Sequence, residues 1–189
     1  GLNEMRLFVA IPLPRDIKDF AAAAQRKMAR GLPDVKWVEY ENYHITLKFL
    51  GESKLNLAAI IDKLSLAAES CPEFVLSFRG IGFFPSRNRP RVIWIGAGGE
   101  MEKAWFLAER VDTYLGELGF EEEKNRHFHL TLGRIRSDKN LGYLQAQAAE
   151  MERTMQTPAC TVKKFCLMES QLSPQGPKYL LKHEFLLQG

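Results

Sequence analysis

The chain has 189 residues, 46% hydrophobic and 26% charged, which is a globular composition and not a disordered one. At this length one core can bury roughly two thirds of the unfolded surface, so no covalent staple is required. The formal charge is +3, from 26 Lys+Arg against 23 Asp+Glu. That excludes a histone-like charge density and still allows a local basic groove. Three cysteines (Cys71, Cys160 and Cys166) without a CxxC pair argue against a disulfide framework or a zinc ribbon, and for thiols in a reducing, cytoplasmic compartment. No apolar run reaches about 18 residues, so no membrane span or membrane partner is expected. The N-terminus lacks the basic-then-apolar layout of a secretory signal, and Met5 is expected as the natural first residue.

Taken in order, residues 6–11 (RLFVAI) read as a strand stopped by Pro12 and Pro14. Residues 15–30 read as an alanine-rich helix with Gly31 as its stop. A short strand is expected over 36–38. Residues 43–50 (YHITLKFL) alternate, with His44, Thr46 and Lys48 on one face and Ile45, Leu47 and Phe49 on the other. Leu57, Ile60, Ile61, Leu64 and Ala68 keep a helical period. Residues 74–83 and 91–95 read as strands joined by the loop PSRNRP. GAGG at 96–99 does not match a phosphate loop and is expected to be a turn.

The order then starts again. Met101, Ala104, Trp105, Ala108, Val111, Leu115 and Leu118 form a helical stripe. Residues 127–135 (HFHLTLGRI) alternate, placing His127, His129, Thr131 and Gly133 on one face and Phe128, Leu130, Leu132 and Arg134 on the other. A helix over 140–155 and strands over 161–168 and 179–187 close the chain. Strands that are partly separated by helices and partly joined directly predict an α+β fold with mixed or antiparallel sheets. The two halves read as a duplicated α/β unit forming a single bilobal domain over 1–189, with a cleft between the lobes.

The candidate chemistry lies in the repeated pattern: HITL at 44–47 and HLTL at 129–132. On a strand, residues i and i+2 share a face, so each His-x-Thr sets an imidazole and a hydroxyl about 6.5–7 Å apart along one rail. Imidazole transfers protons near neutral pH, and a hydroxyl donates to an anionic oxygen. Two such rails facing each other suit in-line displacement at phosphorus. One His takes a proton from the attacking oxygen, and the other gives one to the leaving oxygen. A lone strand histidine is usually structural, and His183, without such a partner, is expected to be structural or solvent-facing. His127 and His129 could ligate zinc as a His-x-His pair, but no carboxylate or thiol stands at ligand spacing. No metal and no cofactor are therefore expected. Arg134 follows His129 by five residues and reaches its face only by wrapping or through a bulge. Arg87, Arg89 and Arg91, with Arg79 nearby, could supply further phosphate contacts. Phe8, Trp37 and Tyr179 could stack a base.

The pair HITL and HLTL resembles the two-histidine phosphoesterase superfamily, defined by two HxTx motifs. RLFVAIPLP, ENYHITLKFLGE, FRGIGFFPSRNRPRVIWIG, HFHLTLGR and ESQLSPQGPKY resemble, in order, the bacterial and archaeal RNA 2′,3′-cyclic phosphodiesterases (LigT/ThpR), formerly called 2′-5′ RNA ligases. The resemblance implies two lobes related by a pseudo-two-fold axis. It implies hydrolysis of a terminal 2′,3′-cyclic phosphate on RNA to a 2′-phosphate without metal. It implies His44 as proton donor, His129 as proton acceptor, and Thr46, Thr131 and Arg134 as phosphate holders. Phe8, Arg91, His127 and Tyr179 are further candidate substrate contacts. The family usually has proline before the second histidine, where this chain has Phe128. An RNA-end binding module without turnover, and 2′-5′ ligation by the reverse chemistry, remain alternatives. A monomer acting on RNA ends or on nucleotides with a 2′,3′-cyclic phosphate is the expectation.

Overall fold

A computed structural model describes residues 5–54, 56–86 and 88–189. The four residues before Met5, and Arg87 of the arginine loop, lie outside the described residues. The elements are β1 (Met5–Pro12), α1 (Arg15–Ala29), β2 (Val35–Trp37), a 3-10 turn (Tyr40–Asn42), β3 (His44–Ser53), α2 (Leu57–Glu69), β4 (Phe74–Phe84), β5 (Val92–Gly99), α3 (Met101–Gly116), β6 (His129–Ile135), α4 (Leu141–Thr154), β7 (Ala159–Val162), β8 (Lys164–Gln171) and β9 (Lys178–Leu186).

The strands form one sheet in the order β7-β4-β5-β6-β3-β1-β8-β9, with β2 paired to β6. All the paired strands run antiparallel. The order is symmetric about the β6–β3 seam: β3, β1, β8 and β9 run outward on one side, and β6, β5, β4 and β7 on the other. Both motif strands therefore lie beside the pseudo-two-fold axis.

The sheet must curl, and the connectivity shows why. Val162 ends β7 and Lys164 starts β8, so strands six places apart in the order are joined through Lys163 alone. Two virtual bonds span at most about 7 Å, whereas six flat strand spacings would be about 29 Å. The sheet accordingly closes toward a half-barrel. The expected single strand over 161–168 is thus two strands on different halves, broken at Lys163 because the chain changes halves there.

On the convex side α2 packs against α3 and α1 against α4. The helices cover a core that includes Ile17, Ile45, Leu47, Ile60, Leu107, Leu130 and Leu132, each at most 1% exposed. Each such side chain contributes about 1.5–3 kcal/mol by leaving water. The helical stripe expected from 101 runs only to Gly116, so Leu118 lies beyond it.

Two local expectations are corrected. GAGG is not a turn: residues 96–99 continue β5, because β4 supplies partners for all four of them. Gly31 does not end α1 with a left-handed cap. Leu32 takes the positive φ of 53°, and Gly31 is needed for space, since a Cβ there would overlap the Tyr143 ring.

Candidate active site

β3 and β6 meet at Ile45 opposite Leu130, the second residue of each His-x-Thr. Both side chains are fully buried on the helix side. Residues directly across an antiparallel pair share a face. One step either way therefore sets His44 across from Thr131 and Thr46 across from His129, all four on the open face. The two histidines are diagonal neighbours, a relation that spaces strands' residues about 7–8 Å apart. That leaves room for one phosphate hydrogen-bonded to both rings.

A bulge follows each motif at the same place. Against β1 the register passes from Thr46 to Lys48 and skips Leu47. Against β5 it passes from Thr131 to Gly133 and skips Leu132. Each extra residue reverses the alternation. Leu47 and Lys48 are both buried, and so are Leu132 and Gly133. Phe49 and Arg134 then turn out on the histidine side, both exposed. This corrects the simple alternation over 127–135. Gly133 belongs to the core face, where a Cβ would meet Val35 at 2.6 Å, and Arg134 shares the face of His129. The strand also starts later than expected. β6 begins at His129, and His127 and Phe128 precede it.

His44 is held at both ring nitrogens. Nδ1 lies 2.7 Å from the Asn42 carbonyl. A carbonyl only accepts, so Nδ1 carries a proton, and in the neutral ring Nε2 keeps the lone pair. Nε2 lies 2.9 Å from the Thr46 hydroxyl, which donates to it. Burial pushes the His44 pKa down. The Asn42 carbonyl opposes this, and the charges of His129 and Lys18 push it further down. The His129 contribution places the second imidazole within electrostatic reach of the first. Burial also lowers the His129 pKa, with the His127 charge adding to it and the His127 carbonyl opposing. The carbonyl two residues upstream thus serves both histidines. Both shifts favour the uncharged imidazole in the free site.

Aromatic rings wall both ends. Phe8 lies 5.1 Å from His44 and 4.9 Å from Tyr179, and Tyr179 lies 5.4 Å from His44. On the other side the Trp94 indole is 5.9 Å from His129. Trp94 crosses Gly82 of the next strand, where a Cβ would overlap the indole. A cavity of about 90 Å³ beside His44 is lined by Phe8, Lys18, Cys166, Met168 and Tyr179 among others. It shares Glu41, Asn42 and Tyr179 with a larger one of about 390 Å³. Burial raises the Tyr179 pKa, while Arg134 and Arg6 oppose the rise, so both cations stand near this end of the site.

The sheet thus gathers His44, Thr46, His129, Thr131, Arg134, Phe8 and Tyr179. Arg79 shares their face through its pairing with Gly96, which in turn pairs with His129. Other expected contacts fall elsewhere. Arg91 precedes β5, with its guanidinium on the Pro90 carbonyl. Arg89 is exposed in the loop. Trp37 pairs with Gly133 on the core face. His183 lies at the surface, whereas His127, though exposed, stands beside His129, with its charge and its carbonyl acting on that ring. Phe128 is buried edge-on against Trp105 at 4.8 Å. No sequence signal marks Trp94 or Lys18 for the site. Trp94 sits in an ordinary apolar strand, and Lys18 is one of many helix lysines. Among the described residues no group of three His, Cys, Asp or Glu could hold a metal ion, and no helix is long and apolar enough to cross a membrane.

A family model described as LigT like Phosphoesterase matches residues 11–94 and 102–179, one block around each motif. The RNA 2′,3′-cyclic phosphodiesterase of Archaeoglobus fulgidus is 38% identical over 182 residues, 93% of this chain and 96% of that protein. The protein of that name from Aquifex aeolicus is 30% identical over the whole of both chains. A crystal structure of a Thermus thermophilus protein superposes with a TM-score of 0.79 at 29% identity, covering 98% of this chain and 99% of that one. E. coli LigT complexed with 3′-AMP gives 0.74 at 25% identity, with the same coverage.

Proposed function

This chain belongs to the LigT-like phosphoesterase family, and we propose that it hydrolyses the terminal 2′,3′-cyclic phosphate of RNA to a 2′-phosphomonoester by proton exchange between His44 and His129. Relatives of that name align along nearly all of the chain. The observation that carries the mechanism is the Ile45–Leu130 pairing, which sets both rails on one face.

In this reading the whole chain acts as one bilobal domain, a monomer of the reducing cytoplasm, with the phosphate at the seam. Neutral His129 takes a proton from water as the water oxygen attacks phosphorus in line. The P–O3′ bond breaks, and His44, protonated at Nε2, gives its proton to O3′. Water supplies one proton and O3′ receives one, so the pair ends with its protonation exchanged and resets through solvent. Thr46, Thr131 and Arg134 hold the non-bridging oxygens, where charge accumulates. The anion itself makes the acid available. Burial favours the neutral form of His44 in the free site, and a bound phosphate favours the imidazolium. The Asn42 carbonyl fixes Nδ1–H, so the exchangeable proton sits at Nε2, toward the substrate.

The test is turnover. An oligoribonucleotide ending in a 2′,3′-cyclic phosphate is incubated with the protein, with and without EDTA, and its end groups are identified. A 2′-phosphomonoester formed in both samples is the expected product. Tight binding with an intact cyclic end would replace this function with end binding, and a 2′-5′ joined product would replace it with ligation.

A further inference from the structure

Behind the site, on the helix side of the sheet, lies a buried charged cluster that the proton chemistry does not use. Lys48 is 3% exposed, Asp112 8% and the Arg126 side chain 6%. Asp112, on α3, accepts from Lys48 Nζ at 2.6 Å. It also takes both terminal nitrogens of Arg126, one on each carboxylate oxygen, at 3.2 Å. Lys48 donates a second bond to the Glu121 carbonyl. The Arg126 Nε donates to the Leu47 carbonyl at 2.6 Å. Burial pushes the Asp112 carboxyl up, but Arg126 and Lys48 hold it below its ordinary value.

The membership of this cluster is informative. Leu47 and Lys48 are the bulge that follows His44 and Thr46. Arg126 lies three residues before His129. The strands that carry the two motifs are registered to each other through Ile45–Leu130, a single ladder position. One pair sets the register and leaves the angle between the two strands, and so the spacing of residues away from the pair, to other contacts. The Arg126 Nε bond to the Leu47 carbonyl supplies a second tie between the same two segments, and the fork on Asp112 anchors that guanidinium to α3. Lys48 supplies a third, to the loop that leads into Arg126.

We propose that Asp112, with Arg126 and Lys48, is a positioning device that sets the separation of the two His-x-Thr rails. It touches no substrate. It acts by joining the bulge behind His44 to the segment that delivers His129. The cost of desolvating three charges is one that stability alone does not demand, because well-packed apolar residues of similar volume are often as stable or more so. The inference rests on the proposed hydrolysis only for what the geometry serves.

Two variants separate positioning from bulk stability. Arg126→Lys keeps the charge and loses the two-pronged geometry. The triple change Lys48→Met, Asp112→Leu, Arg126→Met replaces the cluster with apolar packing. Melting temperature, kcat and KM for the cyclic-phosphate oligonucleotide, and NMR titration of the His44 and His129 imidazoles are measured for each. The triple variant is expected to melt near the parent while kcat falls about tenfold to a hundredfold, the scale of an ångström-level misplacement. KM changes less than kcat, and both imidazole titrations move as their mutual repulsion changes. Arg126→Lys moves the same readouts in the same direction. Parental kcat and parental titrations in a folded triple variant would overturn the proposal. So would losses in Arg126→Lys that follow the folded fraction alone. The titrations need no turnover, so they still decide the point if the parent fails to hydrolyse the cyclic end.

Discussion

Ile45 and Leu130 hold the same place in their motifs and face each other across the seam of the sheet. The pairing matters less for its own burial than for what it imposes on its neighbours. Once these two side chains share the core, both imidazoles and both hydroxyls must share the opposite face. His44→Ala and His129→Ala are each expected to lower kcat by at least about a hundredfold, the usual lower worth of a general acid or base. Both positions are half-buried at the open face, so the folded fraction is expected to survive. Steady-state kinetics on purified variants check this, and a fully active single variant would remove the acid–base assignment.

The pH dependence has a defined sign. Burial lowers both histidine pKa values from the ordinary value near 6.5. The productive free enzyme holds one proton on the pair, so kcat/KM is expected to peak below about pH 6.5 and fall toward pH 8. The bound phosphate favours imidazolium, so the kcat profile is displaced upward from it. Stability follows the same protons. As pH drops through about 6.5 the unfolded chain binds protons that the folded site resists, and the melting temperature declines. Inorganic phosphate is expected to offset that decline by binding the protonated site. Paired pH–rate profiles and melting curves with and without phosphate test both points.

The sequence made the chemistry legible and left parts of its placement hidden. His44, Thr46, His129 and Thr131 could be read because two-residue spacing on a strand translates directly into a shared face. Arg134 could not be placed on that face by counting, since the bulge at Leu132 is one more buried leucine in an apolar run. The same holds for Phe49 beyond Leu47. The break at Lys163 carries no turn signal, because its cause is a change of sheet half and not a local preference. Asn42 and His127 act on the histidines through backbone carbonyls, which any residue supplies. Trp94 became visible only through its register against Thr131.

Arg134 is expected to act on the anion and on Tyr179 at once. A charged hydrogen bond contributes about 1.5–3 kcal/mol, so Arg134→Ala should lower kcat/KM by roughly tenfold to a hundredfold. Arg134→Lys should recover part of this, since an ammonium offers charge without the planar fork. The same Ala variant removes a cation that opposes the raised Tyr179 pKa, so the phenol should titrate higher still. Ultraviolet titration against a Tyr179→Phe reference reads this without substrate. An unmoved Tyr179 would place Arg134 away from this end of the site.

Gly82 tests the second aromatic wall. It faces Trp94 across β4 and β5, and a Cβ there would overlap the Cζ2, Cη2 and Cε2 atoms of the indole. The overlap is spread along the ring, so a small rotation cannot relieve it and the ring must leave its seat. The ring is 5.9 Å from His129, and its departure admits water to an imidazole whose pKa is lowered chiefly by burial. Gly82→Ala is therefore expected to raise the His129 pKa toward its ordinary value, and to lower kcat/KM with it. Gly82→Ala combined with Trp94→Ala removes the overlap and the wall together. The double variant should fold as well as the parent yet keep the shifted titration. NMR titration of His129 in the parent and both variants decides it. If Gly82→Ala leaves His129 titrating as in the parent, the indole does not shield that imidazole.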